Sequence, residues 1–414
     1  MTKPKTLPMT AKSPDNPDIS IHELLLSRKF ICLMTAAFLA YANISVFFGF
    51  VDHLHTLPVD PADYGLLIGA LAAVSLIVRP LISPFFHSGN AQKLLFIGTV
   101  LAACSLAAYT VAVDYWSMLL VRIFHGIAFA VLGTALMTLV VDVIPKEKSA
   151  QFFGYLAVAT LLPNTLIPPL LPFLDAGLGG FNRILLLFAA LTLLMFPLVF
   201  AVADKEQKKS TNEDSSALSV KEVMENLTNI HVLRILAAML LLYCGHAMVF
   251  FFLDGYGKSI QIAYVGIFLT FSTVGEIGIR VVAGSFFDRI NKGRLAFWSL
   301  VGLCLAYVLL AYVPDKWIFF SLGLIFGLGW GVAMPVFNGL MFDVSKPRFR
   351  AFNINLGLQM FQAGFFFGPL IGAPLLAGWG YRELYLFCAG TSLLAAVLMF
   401  TKGAKNDSRN DNNT

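Results

Sequence analysis

Charge is scarce in this chain. Asp, Glu, Lys and Arg make up 13% of the 414 residues and hydrophobic residues 58%, against roughly 25% charged in an ordinary soluble domain. So few polar side chains cannot cover a water-soluble globule of this size, and the mean hydropathy of +0.77 points to an outer wall that faces lipid. Cysteine is scarce too. Cys32, Cys104, Cys244, Cys304 and Cys388 all fall in apolar runs without C-x-x-C spacing, which argues against a disulfide framework or metal cluster and suits small buried hydrophobes. A G-x-x-x-x-G-K-[ST] loop is missing, so this chain alone is not expected to hydrolyse ATP. Also missing from the apolar runs are H-E-x-x-H, paired catalytic carboxylates and a Ser/Lys constellation. Neither an enzyme nor a cofactor is expected. The net charge of +5 does not imply nucleic acid, because the basic residues are scattered through short connections rather than gathered on one face.

Long apolar runs are what the chain does have. About 20 mostly apolar residues cross a bilayer core, and such runs lie near 30–56, 65–87, 94–113, 116–141, 151–174, 182–203, 232–253, 260–287, 295–313, 316–342, 351–378 and 382–401. Phe (38), Gly (33) and Pro (19) are heavily used, as in membrane helices that pack closely and bend. An all-α membrane protein of twelve transmembrane helices is therefore expected, with both ends on one side. Of the 29 Lys and Arg, only Arg183, Lys258, Lys316 and Arg382 fall in the loops opposite those ends. This bias makes both termini cytoplasmic in an inner membrane. Residues 1–29, polar and rich in proline, lack the features of a signal peptide and are expected to form a disordered cytoplasmic tail. Residues 204–231 form a linker with a short surface helix near Val220–Leu227, and 402–414 a second tail. The linker separates a bundle at 30–203 from another at 232–401.

The two bundles repeat. One gap-free offset of 201 residues sets Gly65 on Gly266, Arg79 on Arg280, Phe85-Phe86 on Phe286-Phe287 and Lys93 on Arg294. It also sets Gly126 on Gly327, Asp142 on Asp343 and Pro168 on Pro369. Parallel repeats about an axis along the membrane normal are typical of transporters, which bind substrate between halves and rock to alternate access.

After the eighth span the chain reads Gly284-Ser285-Phe286-Phe287-Asp288-Arg289-Ile290-Asn291-Lys292-Gly293-Arg294. This resembles the G-x-x-x-D-R-x-G-R-x-R signature of the major facilitator superfamily (MFS). Gly284 would allow close packing, Asp288 would end the helix, and Asn291, in place of glycine, would supply a left-handed conformation. In the first half His87 and Ser88 stand where the signature has Asp and Arg. In the family this loop latches the outward-facing state. Arg122-Ile123-Phe124-His125-Gly126 resembles the family's R-x-x-x-G. Gly364 to Gly372, with Gly368-Pro369, resembles its drug-antiporter signature better than Pro163 to Pro169 does. The resemblance implies the MFS fold, two pseudo-symmetric six-helix halves, and transport of a small-molecule substrate.

Ionisable residues inside spans are costly and usually functional or paired. Depth along their helices matches Asp52 to Arg122, and this pair is expected either to couple protons to substrate or to orient two helices statically. Glu276 and Arg280 share a helical face, as a charge relay or as an internal pair. Arg79 and Arg280 suit packing beside the loops. His125 and His246 could titrate or join helices. His53 and His55 are too few for zinc. Gln359 and Gln362, with Asn164, Asn338, Asn353 and Asn355, could bind substrate or bridge helices. Trp330 and Phe250-Phe251-Phe252 could line an aromatic cavity, with lipid contact expected for the phenylalanines. The sequence is thus read as that of a monomeric, proton-coupled secondary transporter, with export favoured over a metabolite-anion importer that uses Arg122. A non-transporting receptor on the same fold is the alternative.

Overall fold

The computed structural model describes residues 27–143, 149–202, 220–287, 290–313, 315–346 and 349–400. Twelve long helices occur in order among these described residues. α1 comprises Arg28–Ser45, a 3₁₀ turn Val46–Gly49 and Phe50–His55; α2 is Tyr64–Ile82, α3 Ser88–Ala108, α4 Tyr115–Val143 and α5 Ser149–Leu178. α6 comprises Phe181–Leu193 and Met195–Val202. The second set is α7 Ile230–Ser259, α8 Ile267–Phe287, α9 Lys292–Ala311, α10 Lys316–Val344, α11 Arg350–Trp379 and α12 Tyr381–Met399. A short helix, Val220–Leu227, precedes α7, where the sequence places one. Eleven of the twelve are long and apolar enough to span a bilayer by length and composition. The other, α8, has 21 residues, enough for about 30 Å at 1.5 Å per residue. The described residues contain no strand.

Twelve crossings return the chain to the side on which it entered; this is the tail end of the bundle, and the α1–α2 and α7–α8 connections mark the far end. Span limits agree with the sequence to a few residues except at two places, the first being the start of α3 at Ser88 instead of 94. Residues 260–266, expected within the eighth span, form the connection instead, with Gln261 and Tyr264 at φ of 59° and 55°. α7 is correspondingly longer, ending at Ser259.

Neighbour relations repeat with the sequence. α1 packs on α5 and α6 as α7 packs on α11 and α12, and α2 packs on α4 as α8 packs on α10. Glycines let these helices approach. A Cβ on Gly126 would lie 2.8 Å from the Leu71 carbonyl oxygen, and Gly327 abuts Ser272 in the same relation. The start of α4 is capped by Asp114, which accepts from the Trp116 and Ser117 N–H groups at 2.9 and 3.1 Å. Asp315, 201 residues on, caps α10 through Trp317 and Ile318 at 2.8 and 3.1 Å. Such caps satisfy N–H groups that a helix start leaves open.

The halves meet through α2 with α11 and α5 with α8. At the far end their apolar core is continuous, Phe48 packing edge-on against Phe250 at 5.9 Å. Toward the tail end the first half has a separate core, including Leu33, Ala37, Leu95, Leu132, Leu139 and Met195. The two halves therefore share one core at the far end, while the first half keeps its own toward the tails. All three of Phe250, Phe251 and Phe252 are buried, contrary to the lipid contact expected of them, because α7 runs through the interior. Cys104 is exposed rather than buried, and all five cysteines are free.

Candidate functional site

The pair expected between Asp52 and Arg122 does not form. Matching depth is a sound guide to level but not to direction. The 3₁₀ turn Val46–Gly49 advances about 20° more per residue than an α-helix, so its four residues rotate the last turns of α1 by roughly 80°. Asp52 is turned out of the first half and pairs with Lys258 of α7, which also holds Asp254 at 2.8 Å. Lys258, expected in a loop, belongs to the last turn of α7, and the Asp254–Lys258 spacing of four residues marks it as helical.

Arg122 turns inward instead. Its Nε donates to the Leu67 carbonyl at 2.7 Å, Nη2 to the Ile68 carbonyl and Nη1 to the Tyr109 hydroxyl at 3.4 Å. The guanidinium lies over Phe47 and Phe50, 4.9 and 4.6 Å from their ring centroids. Only 2% of Arg122 is exposed. Its hydrogen bonds continue in one direction. Tyr109 O–H donates to His125 Nδ1 (3.2 Å), His125 Nε2–H to Asn43 Oδ1 (2.6 Å), Asn43 Nδ2 to Thr192 Oγ1 (3.2 Å), and Thr192 Oγ1–H to the Phe188 carbonyl (2.8 Å). Every member has a partner if His125 is the neutral, Nε2-protonated tautomer, a state assigned from the network. This network ties α1, α2, α4 and α6 to Tyr109, which follows the end of α3. Neither Arg122 nor His125 faces an open space for a ligand.

In the second half Glu276 and Arg280 do form the expected pair, with Nη2 to Oε1 at 2.6 Å. Glu276 is 3% exposed. Arg280 is half-open, and it also reaches the Gly331 carbonyl and Met334 Sδ, both at 3.4 Å. His246 packs against buried Trp330, ring centroids 4.0 Å apart and planes tilted by 49°, and lies near Phe365 and Phe361 at 5.7 and 6.3 Å. Gln362 Nε2 donates to Ser75 Oγ at 3.4 Å across the two halves. Gln359 Oε1 and Asn338 Oδ1 are buried without a hydrogen bond. Asn353 ties α11 to Asn226 of the short helix and to Ser345, and Asn164 accepts from Ser45. These two amides are helix contacts.

Of the loop motif, Gly284 lies in α8 with its surroundings outside the described residues, as do Asp288 and Arg289 themselves. The side chain of Asp142 is likewise outside them. Asn291 is not left-handed, as its place in the motif suggested. At φ −60° and ψ 108° it caps α9, accepting from the Arg294 N–H at 3.0 Å. Lys292 reaches Asp343 of α10 at 2.8 Å. The sequence reading missed Asn43, Tyr109 and Asp254. A polar group inside an apolar run was the available signal for Asn43 and Tyr109, and the four-residue spacing to Lys258 was the signal for Asp254.

Comparisons with known proteins agree with this architecture. A family model described as Major Facilitator Superfamily matches residues 33–358 and 260–414. Quinolone resistance protein NorA of Staphylococcus aureus (strain COL) is 22% identical over 366 residues, 84% of this chain and 89% of that protein. Multidrug resistance protein MdtG of Salmonella paratyphi C is 22% identical over 342 residues, 80% and 83% of the two. Among solved structures, a bacterial homolog of the human lysosomal transporter Spinster, inward-facing and unoccupied, superposes with a TM-score of 0.75 at 13% identity, covering 90% of this chain and 95% of its own. Doubled six-helix bundles, the repeated glycine contacts and the family match together place this chain in the major facilitator superfamily, as a multi-pass membrane transporter.

Proposed function

We propose that the chain exports small amphiphilic organic solutes across the inner membrane by alternating access, driven by protons, and that its described conformation is inward-facing. The observation that carries this is the asymmetric seal between halves. Their apolar cores merge at the far end and separate toward the tails, and the bias of Lys and Arg makes the tail end cytoplasmic. NorA and MdtG, matched over most of their lengths, favour export. The aromatic wall of Trp330, Phe361 and Phe365 around His246 suits amphiphilic cargo.

Glu276 is the proton site in this reading. A proton arriving on its carboxylate neutralises it and releases Arg280 to other acceptors, which changes the charge of the cleft wall between strokes. Arg122 is not available for an anionic cargo, since its donors are engaged with backbone carbonyls and Tyr109, and the importer alternative loses its anchor.

Everted membrane vesicles test the proposal. Solute accumulation across a compound panel is followed together with a pH-sensitive dye. Accumulation should collapse on adding a protonophore, and E276Q should abolish the proton-driven component. Export indifferent to both treatments would overturn it.

A further inference from the structure

The 201-residue offset sets α2 against α8, and one turn of the two helices differs in charge. On α8, Arg280 is neutralised by Glu276. On α2 the counterpart of Arg280 is Arg79, but the counterpart of Glu276 is Ser75. Arg79 lacks the partner that its repeat-mate has. Among the described residues it forms no ion pair or hydrogen bond, and its Nε is buried without an acceptor. Its guanidinium lies 5.0 Å from the Phe129 ring centroid. It also occupies space left by Gly133, where an added Cβ would stand 2.6 Å from Nη2. At the matching place in the second half stands Met334, whose sulfur touches Arg280.

Arg79 does not point into lipid. Ile77 and Leu81, 63% and 65% exposed, form the outer face of α2, and at 100° per residue Arg79 lies about 160° from each. Ser75, one turn away on the same face, touches Gln362 of the other half. Arg79 is one turn further toward the tail end, where the first half has its own core. The partly exposed side chain therefore lies on the inner side of α2, against α4, with Tyr41 packed edge-on against Phe129 at 6.1 Å. An unpaired guanidinium there costs free energy, and its planar donor fork matches a carboxylate.

We propose that Arg79 is an anion subsite that takes the carboxylate of an amphiphilic organic acid, with the partly exposed Tyr41 against the acid's ring. The incoming carboxylate supplies the charge that Glu276 supplies to Arg280. This rests on the transporter reading and narrows its substrate class.

The full-length protein in nanodiscs is titrated calorimetrically with 1-naphthoate and, separately, with its methyl ester. Naphthoate should bind saturably and more tightly than the ester. R79Q should weaken naphthoate by about tenfold or more, the loss of a charge-assisted pair, and leave the ester unchanged; R79K should fall between. S75E restores the missing carboxylate and should also remove naphthoate binding, whereas S75A should keep it. Unfolding midpoints identify any variant that does not fold, and the S75E and S75A pair then decides. Equal binding of acid and ester, no binding of the acid, or wild-type naphthoate affinity in folded R79Q and S75E would overturn the proposal. In everted vesicles, proton-driven export of ethidium without export of naphthoate would sink this inference and leave the transporter reading standing. Failure of proton-driven movement for both would sink that reading instead.

Discussion

Gly65 lies against the backbone of Pro369: a Cβ at Gly65 would stand 2.5 Å from the Pro369 carbonyl oxygen. Their repeat-mates meet in the same way, Gly266 against Pro168. The two glycine–proline contacts join α2 to α11 and the connection just before α8 to α5 at the far end, and they are related by the pseudo-symmetry of the halves. Proline frees a carbonyl in the preceding turn, and glycine lets a neighbouring helix come close.

Substituting either glycine is therefore expected to hold the far end apart. Gly65→Val and Gly266→Val should each raise the labelling of cysteines introduced at the far end and lower transport by about tenfold, since interpenetrating backbone cannot yield as a side chain can. Gly65→Ala should lie between wild type and Gly65→Val. Unchanged labelling in both valine variants would remove these contacts from the seal.

The Asp52–Lys258 bridge should matter less. Lys258 is 58% exposed in its side chain and Asp52 37%, and exposed ion pairs contribute at most about 1 kcal/mol and weaken with salt. A double-mutant cycle with D52N and K258Q, read from far-end cysteine labelling, should give a coupling below that value that shrinks at high salt. Larger, salt-independent coupling would make this bridge, rather than the glycine contacts, the main latch.

Arg122→Ala is expected to lower stability by about 2 kcal/mol or more, because three hydrogen bonds from a buried cation are lost. His125→Ala leaves the Tyr109 hydroxyl proton without an acceptor and Asn43 Oδ1 without a donor, and should cost a similar amount, roughly 2–4 kcal/mol. Both are read as unfolding midpoints in detergent. In whatever fraction folds, the pH profile of transport should match wild type. A shifted profile would return His125 to the proton path.

Glu276 and Arg280 should behave differently from that network. Arg280→Gln leaves a buried carboxylate without its cation and is expected to shift the pH at which transport is half-maximal, through loss of the opposite charge. Its unfolding midpoint should fall less than that of Arg122→Ala, since the half-open Arg280 can be replaced in part by water. An unshifted pH profile would make the pair a static internal contact.

Much of this architecture could be read directly from residues. The twelve spans derive from run length, and the duplication from rare residues at one offset: the expected equivalence of Gly65 and Gly266, like that of Pro168 and Pro369, reappears as two equivalent contacts. The repeat extends further than the rare residues. Asp114 and Asp315 share the offset and the same helix-capping geometry, but capping residues in loops draw less notice than charges in spans. Glu276–Arg280 was legible because four residues along one helix fix a face. Asp52–Arg122 was not, because partners on different helices depend on the rotation of each helix about its own axis.

The chain's composition and periodicity determined that it is a doubled membrane bundle, since burial of apolar runs in lipid depends on sequence locally. The arrangement in space decided the rest. Helix rotation sent Asp52 to Lys258 and enclosed Arg122 among carbonyls, and packing across α2 and α4 left Arg79 without a counter-charge among the described residues. Contacts between distant segments are set by the sum of many packing choices, and no local stretch of sequence encodes that sum.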